Sequence, residues 1–334
     1  MKGLSVKALG NVGSKSLEQV METVRAAGAE CEPLRDPSEL RDPEEVLMLI
    51  GDDRWVLRKV HELSCPEQPI LIVGTEETRS FLTSVGLGEL KEAAELIASG
   101  EFAVEEVTLL DVLADGRRVD FAVNEGAVFP VRQAMLMEHS LYVDGELLWR
   151  DRSDGVLVST PIGSSAYSLS AGGALVHHSA RVFQIVSINS IDLTRRPLIV
   201  PSSSEVEVAE IACESEVELV VDGFLRAAVR ESVTFRAFGR PLRLVKIRGR
   251  EPVSMKMEKK VMIAEELLSL PPSAKLVKKV LEYEGPLTFE ELLAKTALPE
   301  RTLRYALTAL TARGMIRRLR DHNDARKRIY ALRA

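Results

Sequence analysis

Apolar residues come in runs whose spacing changes along the chain. Residues 4–9 read as a short strand. Residues 16–28 read as a helix with Leu17, Val20, Met21 and Val24 on one face and Gly28 as its stop. Val46–Ile50 and residues 69–73 are continuous apolar runs of strand length. Strand, helix, strand with apolar strands predicts a parallel α/β sheet covered on both faces, over residues 1–100.

From residue 101 helical spacing thins. Short β-rich segments follow at 104–110, 119–123, 141–143, 155–159, 206–208, 217–221, 233–238 and 242–245. Asp115-Gly116, Asp144-Gly145 and Asp222-Gly223 supply turn signals between several of them. Residues 101–250 are therefore expected to form an all-β, sandwich-like domain. Residues 251–272 read as a linker helix, with Met257, Val261, Ala264 and Leu268 along one side and Pro271-Pro272 as its stop. Such a helix joins domains, pairs with a second copy, or packs on its own body.

The last segment, 273–334, changes pattern again. Residues 274–285 predict a helix with Val277, Val280 and Leu281 inward. Thr288 with Glu291 forms a capping box for a second helix, and Pro299 suits the first turn of a third. Leu303, Ala306, Leu307 and Leu310 then make a core face that ends at Gly314. Residues 315–320 and 328–332 alternate like two strands joined by a turn at 321–326.

Charge sharpens this division. The 334 residues carry a formal charge of −6, which taken whole argues against a nucleic-acid binder. From Pro271 onward, however, 14 Lys and Arg stand against 7 Asp and Glu. The last segment is thus +7 and the remainder −13. The three cysteines are far apart and make no metal or disulfide spacing, so no metal site and a reducing compartment are expected. The start lacks a signal-peptide pattern, and no apolar run approaches the ~20 residues of a membrane span. A cytoplasmic protein without membrane partners is expected.

The densest chemistry lies at 154–176, where an apolar strand runs into a loop of hydroxyls and glycines. Small residues let backbone amides approach a ligand, and hydroxyls satisfy ribose or phosphate oxygens. The run Ser159-Thr160-Pro161-Ile162-Gly163-Ser164-Ser165-Ala166-Tyr167-Ser168-Leu169-Ser170-Ala171-Gly172-Gly173 resembles the signature of the NAD kinase family. That family phosphorylates the adenosine-side ribose 2′-hydroxyl of NAD to give NADP. Ile162 and Ser165 replace threonines, and Ala174 a proline. Asn124-Glu125 matches the family pair that grips the adenine-ribose end of NAD, and Arg152 with Asp154 a second ligand-contacting pair. Leu193, Arg196 and Pro197 keep part of a later segment, which has lost two prolines and a histidine. Asp222-Gly223 matches a family turn in which Phe224 replaces glutamine.

The resemblance covers about residues 1–250. It implies an α/β domain followed by a β-sandwich-like domain. The implied NAD or NADP site takes Asp53, Asn124, Glu125, Arg152, Asp154, Ser165, Ala166, Tyr167, Ser168, Ser170 and Asn189. The family's Gly-Gly-Asp-Gly-Thr motif is altered here to Gly51-Asp52-Asp53-Arg54-Trp55. Asp53 would be catalytic, with ATP and magnesium, only in an active kinase. A second glycine loop survives only in part over 74–82. Asp52 would repel ATP phosphates, and Arg54 adds bulk, so nucleotide binding is expected to be kept and catalysis weakened or lost.

The last segment resembles a winged helix-turn-helix domain (α+β) of the multiple-antibiotic-resistance type of regulators. In that fold the third helix enters the major groove of double-stranded DNA. Arg301, Thr302, Arg304, Tyr305 and Thr308 would lie outward on it, and Arg317, Arg318, Arg320, Arg326, Lys327 and Arg328 on the wing. Together these parts predict a nicotinamide-nucleotide-responsive transcription regulator, a homodimer or larger homo-oligomer. The second reading is an active NAD kinase with a regulatory DNA-binding tail, and the third a structural role without ligand.

Overall fold

The computed structural model describes residues 4–75, 82, 84–132, 135–247, 270–320 and 328–332. The chain divides into two compact units after Lys260. The first opens with β1 (Ser5–Gly10), α1 (Ser14–Ala26), β2 (Glu30–Pro33), β3 (Val46–Ile50), α2 (Asp53–Glu62), β4 (Ile70–Gly74), β5 (Val85–Gly86), α3 (Leu90–Ala98) and β6 (Phe102–Val107). β2, β1, β3 and β4 are parallel neighbours in that order. Alternation along β3 and β4 decides which layer each residue serves. Val46, Met48, Ile50, Leu71 and Val73 pack with Val20, Met21 and Val24 of α1 and Ala93 and Ile97 of α3. Leu47, Leu49, Ile70 and Ile72 face the other way, onto Val56, Leu57 and Val60 of α2 and onto Leu109, Phe121 and Val123.

The strands that follow are β7 (Leu110–Ala114), β8 (Arg117–Ala122), β9 (Glu125–Pro130), β10 (Met137–Val143), β11 (Glu146–Ser153) and β12 (Gly155–Ser159). After the short helix α4 (Tyr167–Ser170) come β13 (Val182–Ile188), β14 (Leu198–Pro201), β15 (Val206–Ala212), β16 (Val217–Val221), β17 (Leu225–Val229), β18 (Val233–Ala237) and β19 (Leu242–Ile247). Strands β7 to β18 build two six-stranded sheets, β11-β10-β15-β18-β7-β8 and β14-β13-β12-β9-β16-β17. Both give residues to one core, Leu110, Val112, Leu141, Val208 and Phe235 from the first and Val128, Val156, Val158, Phe183 and Leu219 from the second.

Two segments expected inside this sandwich belong elsewhere. β19 runs parallel to β4 and antiparallel to β6, so both strands extend the α/β sheet. The segment 104–110, read as one strand, is therefore split: β6 ends at Val107 and β7 begins at Leu110. Helices α2 and α3 also exceed what the apolar pattern predicted. The Asp52 side chain accepts a hydrogen bond from the Trp55 amide at 2.8 Å and caps α2, an N-cap role that carboxylates fill readily.

The second unit contains α5 (Pro272–Glu284), β20 (Leu287–Thr288), α6 (Phe289–Thr296), α7 (Glu300–Ala312), β21 (Ile316–Arg320) and β22 (Arg328–Leu332). Its sheet is ordered β20-β22-β21 and antiparallel. Ala274, Val277, Leu281, Leu292, Leu303, Leu307, Leu310 and Ile316 make its core. The capping box forms: Thr288 Oγ1 accepts from the Glu291 amide at 3.3 Å, and the Glu291 carboxylate accepts from the Thr288 amide at 2.8 Å. Residues 251–269 of the expected linker helix (251–272), the expected turn at 321–326 with Arg326, Lys327 after it, and the Arg320 side chain lie outside the described residues, and Pro272, expected to stop that helix, opens α5. No helix among those described is long and apolar enough to cross a membrane.

Loss of the cap in Thr288→Ala is expected to cost about 1 kcal/mol of local stability. Amide exchange across α6 in the full chain should accelerate about fivefold, since 1.4 kcal/mol is tenfold; unchanged exchange would assign the helix's stability to packing alone.

Candidate functional site

The site is assembled where β3, β9 and β12 end or begin. Ile50 closes β3, Gly51 turns the chain, and Asp53 opens α2. The Gly51 amide donates to the Val73 carbonyl at 3.0 Å, which ties the turn to the neighbouring strand. The Trp55 ring lies so close to Gly51 that a Cβ on residue 51 would overlap it. Asp53 is half-buried, while Asp52 and Arg54 are exposed.

The Asn124–Glu125 pair is held from three sides. The Asp222 carboxylate accepts from the amides of Val123 at 2.8 Å, Asn124 at 2.7 Å and Glu125 at 3.1 Å. Thr160 hangs on the same turn, its amide donating to the Asn124 carbonyl at 2.9 Å and its hydroxyl to the Val123 carbonyl at 2.6 Å. Gly163 presses against the Asn124 backbone, and any Cβ there would collide with the Asn124 carbonyl. Glycine is thus required by contact where the signature loop meets the pair.

The third support was not visible in the sequence. His61, in the last turn of α2, places Nε2 2.8 Å from an Asp222 carboxylate oxygen and Nδ1 3.1 Å from one of Asp120. Its ring stacks on Phe121 at 4.4 Å and meets the edge of Phe224 at 5.1 Å. Burial works against its charge, but the hydrogen bonds and charges of Asp222 and Asp120 outweigh that cost and raise its pKa above the ordinary 6.5. His61 and Asp222 lie 161 residues apart, and no local spacing links them.

The other expected residues divide. Asp154 accepts from the Asn189 amide group at 2.8 Å, and Arg152, exposed, pairs with Glu138 at 2.9 Å. Asn189 adopts a positive φ of 50°, which turns its side chain back on Asp154. Ala166 and Tyr167 are half-buried and Ser170 is exposed. Tyr167 packs near Phe129, Leu157 and Val186 on the outer face of the second sheet. Ser168 is placed differently: it is fully buried and its hydroxyl accepts from Gln184, which braces the loop. Ser165 donates to the Ile162 carbonyl at 3.1 Å. Ser164 also serves the loop, donating to the Pro161 carbonyl and accepting from the Val176 amide.

Asp154 and Thr160 bracket β12. At ~3.3 Å per residue they are about 20 Å apart, with Tyr167 packed on the strand between them. The two polar groups therefore sit at the ends of one strip. Among the described residues no group of three or more His, Cys, Asp or Glu is placed to hold a metal.

Residues 123–246 match a family model described as the ATP-NAD kinase C-terminal domain. A relative named NAD kinase from Thermococcus gammatolerans is 38% identical over 180 residues, 54% of this chain and 64% of that protein. The NAD kinase of Thermococcus sibiricus is 32% identical over 217 residues, 65% of this chain and 78% of that protein. Among solved structures, an NAD kinase from Archaeoglobus fulgidus in complex with ATP superposes with a TM-score of 0.65 at 23% identity, over 77% of this chain and 99% of that one. A yeast NADH kinase complexed with NADH gives 0.65 at 21%, over 81% and 89%. These likenesses correct the expectation of a nucleotide-responsive transcription regulator: relatives at this identity carry the name of an enzyme, and none of those described is named a regulator. By its relatedness over 78% of the Thermococcus sibiricus protein, against 64% of the Thermococcus gammatolerans one, the chain belongs to the NAD kinase family.

Proposed function

We propose that the first unit is an ATP-dependent NAD kinase. The observation that carries this reading is the joining of Asp53's helix to the Asn124–Glu125 turn through His61 and Asp222. Asn124 and Glu125 take the adenine-ribose end of NAD. Asp154 and Asn189 take the far end of the strip, and Ala166 and Tyr167 line its middle. Asp53 orients the ribose 2′-hydroxyl and accepts its proton. The 2′-oxygen then bonds to the γ-phosphorus of ATP, the bond from that phosphorus to the β–γ bridging oxygen breaks, and ADP leaves. Magnesium enters as part of the ATP substrate. Such transfer depends mainly on positioning and charge stabilisation.

The Asp52 replacement is compatible with this chemistry. Its carboxylate is turned into the start of α2, where it accepts from the Trp55 amide. The helix N-terminus offsets part of its negative charge. Arg54 and Arg58, both exposed on α2, put positive charge on the same helix.

Incubating the protein with NAD, ATP and magnesium should yield NADP, and Asp53→Asn should lower kcat at least 100-fold with NAD affinity kept. Absence of NADP from the wild-type protein would overturn the reading. Asp52→Ser keeps a capping side chain and removes a charge. At about 1 kcal/mol for a unit charge near 4 Å in water, the KM for ATP is expected to fall roughly fivefold with NAD affinity unchanged.

We infer separately that the second unit is a winged helix that binds double-stranded DNA. Its order of helix, strand, two helices and a two-stranded hairpin supports this, as does the outward face of α7. Arg301, Arg304, Tyr305 and Thr308 are exposed there, and Thr302 half-exposed, over a core of Leu303, Ala306, Leu307 and Leu310. Arg317, Arg318 and Arg328 are exposed on the hairpin, with Arg318 over the Tyr330 ring at 5.9 Å. Affinity for a random duplex should fall steeply between 50 and 200 mM salt, by about 10³ for six phosphate contacts. Arg317→Ala should flatten that slope by about one unit. Salt-independent binding, or none, would remove this role.

A further inference from the structure

Outside the signature residues, one side chain contacts both halves of the site. His61 is two turns beyond Asp53 on α2, and its side chain is 5% exposed. Each ring nitrogen faces a carboxylate, Asp222 at 2.8 Å and Asp120 at 3.1 Å. A neutral imidazole has one N–H and one lone pair, so only the doubly protonated ring donates to both. Asp222, fully buried, spends its other acceptor positions on the amides of Val123, Asn124 and Glu125. The ionisable groups that face His61 are Asp120 from β8 and Asp222 from the β16–β17 turn. Phe121 and Phe224 close its remaining sides, with Arg58 of the same helix stacked on Phe224 at 5.3 Å.

We propose that His61 is a positioning residue for dinucleotide binding: through Asp222 it fixes the Asn124–Glu125 turn at a set distance from the helix that begins with Asp53. The consequence for NAD rests on the kinase reading, while the restraint on the turn does not. His61 touches no substrate in this account. Its hydrogen bond orients the Asp222 carboxylate, and Asp222 keeps the three amides aligned. A deprotonated ring keeps one N–H and loses the other bond, so one of the two carboxylates then faces a lone pair in place of a donor. The raised pKa of the folded state sets the sign: the restraint is complete below the ordinary histidine range and is lost as pH rises through the raised value.

The test compares wild type, His61→Gln and His61→Arg in the full chain, by titration with NAD and, separately, with ATP. His61→Gln is expected to weaken NAD binding about tenfold while ATP binding changes less than twofold. His61→Arg, a permanent cation with several donors, should recover most of the loss. Wild-type NAD affinity should decline as pH rises through the raised His61 pKa, and that of His61→Arg should stay flat. An NAD affinity within twofold of wild type in a folded His61→Gln protein would overturn the proposal, as would equal losses for NAD and ATP. Should His61→Gln fail to fold, the pH profiles of wild type and His61→Arg decide, and identical profiles reject the proposal. Amide exchange at residues 123–125 separates this inference from the kinase reading. If wild type binds no NAD, faster exchange in His61→Gln at those amides alone still supports the restraint, and unchanged exchange rejects it.

Discussion

A single buried carboxylate organises the first unit. The Asp222 side chain has no solvent exposure, yet three backbone amides and one imidazole converge on its two oxygens. A carboxylate stripped of water costs several kcal/mol unless its partners are complete. Here each hydrogen bond to the charge returns roughly 1.5–3 kcal/mol. Completeness is the constraint: losing one partner leaves the charge exposed to a medium that cannot solvate it. The partners come from α2 and from the start of β9, and Asp222 itself from the β16–β17 turn, so satisfying one carboxylate fixes three elements in register.

The signature loop depends on that arrangement. Thr160 bonds to Val123 and Asn124, and Gly163 lies on the Asn124 backbone, so the loop copies whatever position Asp222 gives the turn. Farther along, its hydroxyls turn inward: Ser164 joins Pro161 to Val176, and Ser168 is joined to Gln184. A loop rich in serine is therefore rigid before any ligand arrives. Preorganised donors cost little reorganisation when charge develops, which suits a reaction governed by positioning.

Legibility in the sequence followed locality. β3 was readable because both its faces are buried, which leaves a continuous apolar run. The capping box at Thr288 and the core face of α7 were readable because three or four residues define each. α2 was missed since its apolar residues, Val56, Leu57 and Val60, are interrupted by charge, and its cap, Asp52, was read as damage to a phosphate loop. β19 was misplaced because pairing with β4 and β6 is decided by partners far away in sequence. The resemblance named Asn124 and Asp154, but Ser168 looked like a ligand group only while its partner Gln184 was out of sight. His61 carried no local signal, and its partner Asp222 was legible as a turn and as nothing more.

The overall charge of −6 misleads for a similar reason, since an average erases placement. In the second unit the apolar residues of α7 face its core while Arg301, Arg304 and Tyr305 stay exposed, so burial and charge occupy opposite sides of one helix. In the first unit the decisive charges are few and inside, where a low dielectric strengthens each of them. Exposed arginines act by number, and loss of one is diluted by its neighbours and by salt. Asp222 acts by coordination, and no other group described in the first unit could replace it. The two units therefore respond to substitution in different ways, gradually on a screened basic face and abruptly at a buried carboxylate whose bonds are all in use.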